Sequence, residues 1–128
     1  MRTHESCAKV IDGSIYTCNG NILEHPALAI DQETGTLISW GDLEMVERKY
    51  EKTLAAYATA GLPAGKLCIV AMDDAKFTRE EQCYVIRRCV EYTASGFQTE
   101  LCRQAASGTD PKAWLAAEMA RVPIDVTC

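Results

Sequence analysis

The chain lacks the common signatures of a chemical site. It contains no Gly-x-Gly-x-x-Gly and no Gly-x4-Gly-Lys-Ser/Thr, so the usual backbone cradles for phosphate are missing. It contains no Gly-x-Ser-x-Gly, which removes the local mark of a serine-hydrolase elbow. No apolar run approaches the ~20 residues of a membrane span. Met1-Arg2-Thr3-His4-Glu5-Ser6 leads into no apolar signal core. There is no Cys-x-x-Cys, and the 7 cysteines are odd in number, which argues against a disulfide framework. The expectation is a cytosolic chain in a reducing compartment. Cys68, Cys83 and Cys89 fall in apolar patterns and would act there as small hydrophobes. Internal repeats, low-complexity tracts and linkers are absent too.

Positive charge is also in short supply. Lys and Arg number 13 against 18 acids, a net charge of −5. Such a surface repels phosphate backbones and suits a basic partner. The acids form no run, so mimicry of DNA is not indicated. What is present is ordinary: 48% apolar and 24% charged residues place the chain among folded soluble proteins rather than disordered ones. Its 128 residues predict a single domain over 1–128, able to bury roughly two-thirds of the unfolded surface.

The one continuous apolar run is Lys66-Leu67-Cys68-Ile69-Val70-Ala71-Met72, ended by Asp73-Asp74. It is too short for an independent helix and reads as a strand covered on both faces, at the centre of a sheet. Ahead of it, Cys7–Ile11 and Ser14–Cys18 flank Asp12-Gly13, the signature of a type I′ hairpin. Ala27–Ile30 and Thr36–Trp40 flank Gln32–Gly35 and read as a second hairpin. Asp42 is an N-cap candidate for a helix whose inner face is Leu43, Val46, Tyr50, Leu54 and Tyr57; Gly61 and Pro63 stop it. Thr78-x-x-Glu81 is a capping box opening a second helix, with Cys83, Ile86, Cys89, Val90 and Thr93 inward and Gly96 as its stop. Shorter helices are expected near 98–107 and 111–122, the latter behind Asp110-Pro111. The fold class is α+β: a mainly antiparallel sheet of about five strands (two N-terminal hairpins plus the central strand near 66–72), packed with two long and two shorter helices.

Five groupings could carry function. His4, Cys7, Cys18 and His25 offer borderline ligands around the first hairpin, the set zinc would want, but their spacing is too wide for a knuckle. Cys18, His25 and Asp31 hold the atoms of a thiolate site, with nothing in the spacing to fix the geometry. Asp73 and Asp74 end a strand, where two carboxylates could hold magnesium; Asp is equally ordinary at a strand exit. Residues 99–121 loosely resemble a helix-turn-helix, but a reading helix would offer only Lys112 and Arg121, with Glu118 between them. The fifth is the outer side of the capping-box helix. Glu81, Tyr84, Arg88, Glu91 and Ser95 lie opposite its core face, flanked by Arg87 and Tyr92, and Tyr and Arg are the types enriched at interface hot spots.

The expectation is therefore a non-enzymatic protein with no cofactor and no bound metal. It would bind a protein or protein complex through Glu81, Tyr84, Arg87, Arg88 and Glu91, with nucleic acid and membrane disfavoured. The same helix could serve a homodimer. Inhibitors carried by phages or mobile elements, anti-CRISPR proteins among them, and immunity proteins share this short, acidic, single-domain profile, which is an analogy of class. The alternatives are a zinc-binding or helix-turn-helix regulatory domain, or a small hydrolase-like enzyme using Asp73 and Asp74.

Overall fold

The computed structural model describes residues 8–17, 19–94 and 100–127. The fold is α+β, with two antiparallel sheets of three strands each. The first sheet holds β1 (Lys9–Ile11), β2 (Ser14–Tyr16) and β3 (Ile22–Leu23), in that order. The second holds β4 (Pro26–Asp31), β5 (Thr36–Asp42) and β6 (Leu67–Ala71), ordered β5-β4-β6. The helices are α1 (Leu43–Ala60), α2 (Arg79–Ala94), α3 (Glu100–Ala106) and α4 (Leu115–Arg121), with a 3₁₀ turn at Pro111–Ala113 before α4.

The turn chemistry comes out as its residues dictate. Asp12 and Gly13 both take positive φ, 51° and 79°, which a type I′ turn requires. The second hairpin turns at Gly35, φ 74°. Thr78 and Glu81 close the capping box in both directions: the Thr78 N–H donates to Glu81 Oε1 at 2.8 Å, and the Glu81 N–H donates to Thr78 Oγ1 at 3.1 Å. Asp42 sits at the N-cap of α1, but its side chain caps no helix amide. Instead Asp42 Oδ1 accepts the His25 N–H at 3.1 Å, tying the end of β5 to the start of β4.

The run at 66–72 does form a strand, but it is an edge strand. The central strand is β4, paired with β5 on one side and β6 on the other. The physical reason lies in β4's own side chains. Ala27 and Ala29 point to one face, where Val46 of α1 sits on them with Leu43, Tyr50, Ile38 and Ile69 around. Leu28 and Ile30 point to the other, into the large core shared with α2, α3 and α4. Small residues toward α1 and large ones toward α2 give β4 a two-sided cover that its alanines conceal in sequence. A bulge between Ala29 and Ile30 shifts the pairing with β5, so that Ser39 opposes Ala29 while Leu37 opposes Ile30.

α2 crosses between the sheets. Residues from the first sheet (Val10, Ile15, Leu23), Ala8 just before it, and residues from the second (Leu28, Ile30, Leu37) meet it in one core. The tail crosses beside β1: the Val10 N–H donates to the Val126 carbonyl at 2.7 Å, and Val10 pairs with Thr127 in a parallel bridge.

Candidate functional site

Two of the residues expected to meet a partner are turned inward, while Glu81 and Arg87 are half-exposed. Tyr84 is 0% exposed and Arg88 2% exposed. The cover is the last quarter of the chain. The Tyr84 hydroxyl lies 2.7 Å from the Val122 carbonyl, just past α4, and 3.0 Å from the Glu118 carbonyl, which also accepts the Val122 N–H. Arg88 pairs with Glu118 at 3.1 Å and donates to the Tyr84 hydroxyl at 3.4 Å. Glu118 is further held by Arg121. Arg87 donates to the Asp125 carbonyl at 2.9 Å, and the Glu81 carboxylate is spent on the capping box. Tyr84 and Arg88 are thus an internal clamp on α4, and burial pushes the Tyr84 phenol above its usual pKa. The Glu91 side chain, like Ser95 and Gly96, lies outside the described residues.

The other groupings fare as follows. His4, Cys7 and Cys18 lie outside the described residues, while His25 is exposed at the entry to β4. His25 and Asp31 stand at opposite ends of β4, about 20 Å apart at the rise of an extended chain, so they share no site. Asp31 is occupied by the Tyr57 hydroxyl at 3.1 Å. Asp73 Oδ1 accepts the Ala75 N–H at 2.9 Å, closing a turn. Asp74 accepts from Gln82 at 2.6 Å and pairs with Arg79 at 3.2 Å. These two carboxylates are engaged in the turn that leads into α2. Among the described residues no group of three His, Cys, Asp or Glu could hold a metal ion. The expected reading helix is broken into a 3₁₀ turn and the seven residues of α4, and Arg121 is engaged by Glu118. No helix among the described residues is long and apolar enough to cross a membrane. Cys89 of α2 and Cys102 of α3 face each other with their Cα atoms 5.9 Å apart, within the span a disulfide bridges.

A concave site lies elsewhere. A cleft of about 610 Å³ opens between β3 and the junction of β5 with α1. Leu23, Trp40 and Gly41 line it, together with Ile22 and Met45, which are 45% and 39% exposed. Thr17, Asn19, Asn21, Asp42, Glu44 and Arg48 supply its polar groups. Gly41 holds φ 144°, and a Cβ there would collide with the Met45 methyl. A glycine at this joint therefore lets Met45 lie along the cleft.

Two strand edges border the cleft. The Thr17 N–H donates to the Asn21 carbonyl, so the ladder's alternation turns the Ile22 N–H and C=O away from β2. The Leu43 N–H donates to the His25 carbonyl, and the same count turns the Trp40 N–H and C=O away from β4. The readable signal for this site was Met45: an apolar residue on α1 about 200° around the helix from Leu43, off the inner stripe.

Comparison with protein-family models, with curated proteins and with solved structures yields no match.

Proposed function

We propose that the protein is a non-enzymatic binding protein that captures an extended segment of another protein in the cleft between β3 and the β5–α1 junction. The observation that carries this is the meeting, in one cleft, of exposed apolar side chains with outward-turned peptide groups at Ile22 and Trp40. An added strand takes affinity from such peptide groups and specificity from pockets for alternate side chains. Ile22, Trp40 and Met45 supply the apolar contact. Asp42 and Glu44 outweigh Arg48 around it, and the net charge is −5, so the segment suited to the cleft alternates apolar residues with Lys or Arg. An inhibitory or immunity-type role for this capture follows from the class analogy with short acidic inhibitors.

Selection of displayed peptides on the full chain tests the reading. The expected result is enrichment of extended sequences that alternate apolar and basic residues. Their binding should fall at least ~10-fold in Met45→Glu and Ile22→Asp, about 1.4 kcal/mol, and persist in Lys49→Ala. Failure to enrich, or binding indifferent to both cleft variants while circular dichroism shows the fold intact, overturns it.

A further inference from the structure

The second sheet has an open edge at β6. Pairing with β4 runs Leu28↔Val70 and Ile30↔Cys68, and beyond the strand ends the Gln32 N–H donates to the Lys66 carbonyl and the Met72 N–H to the Pro26 carbonyl. Even-numbered residues of β6 therefore bond to β4, and Leu67, Ile69 and Ala71 turn their peptide groups outward. Leu67 is already served: its N–H donates to Ala64 O at 3.1 Å, and its carbonyl accepts the Tyr50 hydroxyl at 3.3 Å. Among the described residues no hydrogen bond meets the outward groups of Ile69 and Ala71. The strand Leu67–Ala71 carries neither charge nor proline, two usual guards of an edge, and a cleft of about 220 Å³ separates Ile69–Ala71 from Ala105, Ala106 and Gly108. The edge of β1, by contrast, is covered by the tail through Val10 and Val126.

We infer that β6 pairs with β6 of a second copy of the chain, antiparallel about a two-fold axis through Val70, joining the two second sheets edge to edge. The register follows from which groups are free. In an antiparallel pair, residues whose groups face the partner must oppose each other. Placing the axis at Val70 sets Ile69 of each copy against Ala71 of the other. Every free N–H of these residues then meets a free carbonyl, and Leu67, already satisfied, is asked for nothing. Placing the axis at Ile69 would set Ala71 against Leu67, whose groups are taken. A two-fold interface must be self-complementary, and this edge is so at one register. Half-buried Val70 would meet its own equivalent across the axis at a non-hydrogen-bonded position, where side chains approach most closely.

Sedimentation equilibrium of the full chain tests this, together with two variants at the edge. Wild type is expected at twice the 14.1 kDa of the chain. Ala71→Pro removes an outward N–H and none of the bonds to β4, at an exposed residue, and should weaken association at least ~10-fold. Val70→Cys should form an oxidised cross-link at position 70 between copies, absent from wild type and located by peptide mass mapping. A wild-type monomer at hundreds of micromolar overturns the proposal and leaves the edge to a strand of another protein. So does a dimer that is indifferent to Ala71→Pro and forms no cross-link at position 70.

Discussion

The two long helices carry comparable charge and opposite surroundings. α1 has 18 residues and buries one of them, Val46. α2 has 16 and is buried without a break from Gln82 to Ile86 and again from Arg88 to Val90. The sequence of α2, with Arg79, Glu80, Glu81, Gln82, Arg87 and Arg88, gives no hint of this. What separates the helices is where their polar groups go. On α1 the charged side chains are all exposed. On α2, Gln82 donates to Asp74 and to the Phe77 carbonyl, and Arg88 holds Glu118. A polar side chain can lie inside when the chain supplies its partner, so charge on a helix marks an outer face only while no other segment claims it.

Replacing one arginine on each helix gives the largest contrast. Arg88→Ala leaves Glu118 half-paired beneath the clamp and removes a packed stem. Breaking one side of a buried pair costs about 3–5 kcal/mol. Glu118 keeps Arg121, which places the expected loss near the lower end, about 3 kcal/mol, read as a lower urea midpoint. Arg48→Ala, on the exposed side of α1, should stay within about 0.5 kcal/mol of wild type. Equal losses in the two variants would erase the distinction between the helices.

This contrast also shows what the sequence could convey. Signals that act within a few residues were legible: Asp12-Gly13, the Thr78–Glu81 box, Gly61 as a stop, and the stripe Leu43, Val46, Tyr50, Leu54, Tyr57, all of which are at least partly buried. So was the α+β class with its antiparallel pairing. Strand order was not, because β4's alanines look weak beside Leu67–Ala71 until α1 is seen packed on them. The contact face failed for a related reason. Residues opposite an apolar stripe are outside only if the helix has one neighbour, and α2 meets both sheets, α3 and the 115–126 segment. The cleft depends on β3 lying near the β5–α1 junction, a long-range fact with Met45 as its one local trace.

Titration sharpens the comparison further. Burial pushes the Cys83 thiol up to about 11 from 9.0, with Arg87 partly opposing and Glu80 adding. The folded-state value lies above the unfolded one, so this stabilisation is fully present below pH 9.0 and is lost as pH rises through about 11. The loss should be on the order of 2 kcal/mol, measured as falling urea midpoints across that window. Cys83→Ala should be less stable near neutral pH, for lost packing, yet flatter over the lower part of the window. Tyr84 and Tyr57, both raised above 10.0 mainly by burial, would still contribute above it. An equally steep fall in Cys83→Ala would mean that the thiol is not enclosed by α2's surroundings.

The smallest effect concerns how the helices end. At the end of α4 a side chain from another helix, Tyr84, adds its hydroxyl to the backbone bond from the Val122 N–H to the Glu118 carbonyl. α1 is closed by its own backbone: Gly61 takes φ 72°, its N–H donates to the Ala58 carbonyl, and the Leu62 N–H donates to the Tyr57 carbonyl. Nothing lies within 4 Å of where a Cβ on Gly61 would sit, so a side chain there meets no obstacle except its own backbone. Gly61→Ala should therefore cost about 1 kcal/mol, the strain of a left-handed alanine, seen as a melting temperature a few degrees lower. Gly61→Asn should cost less, since asparagine visits this conformation more readily. If alanine and asparagine proved equally costly, or neither cost anything, the end of α1 would be held by something other than the backbone cap, and its independence from the rest of the chain would need another cause.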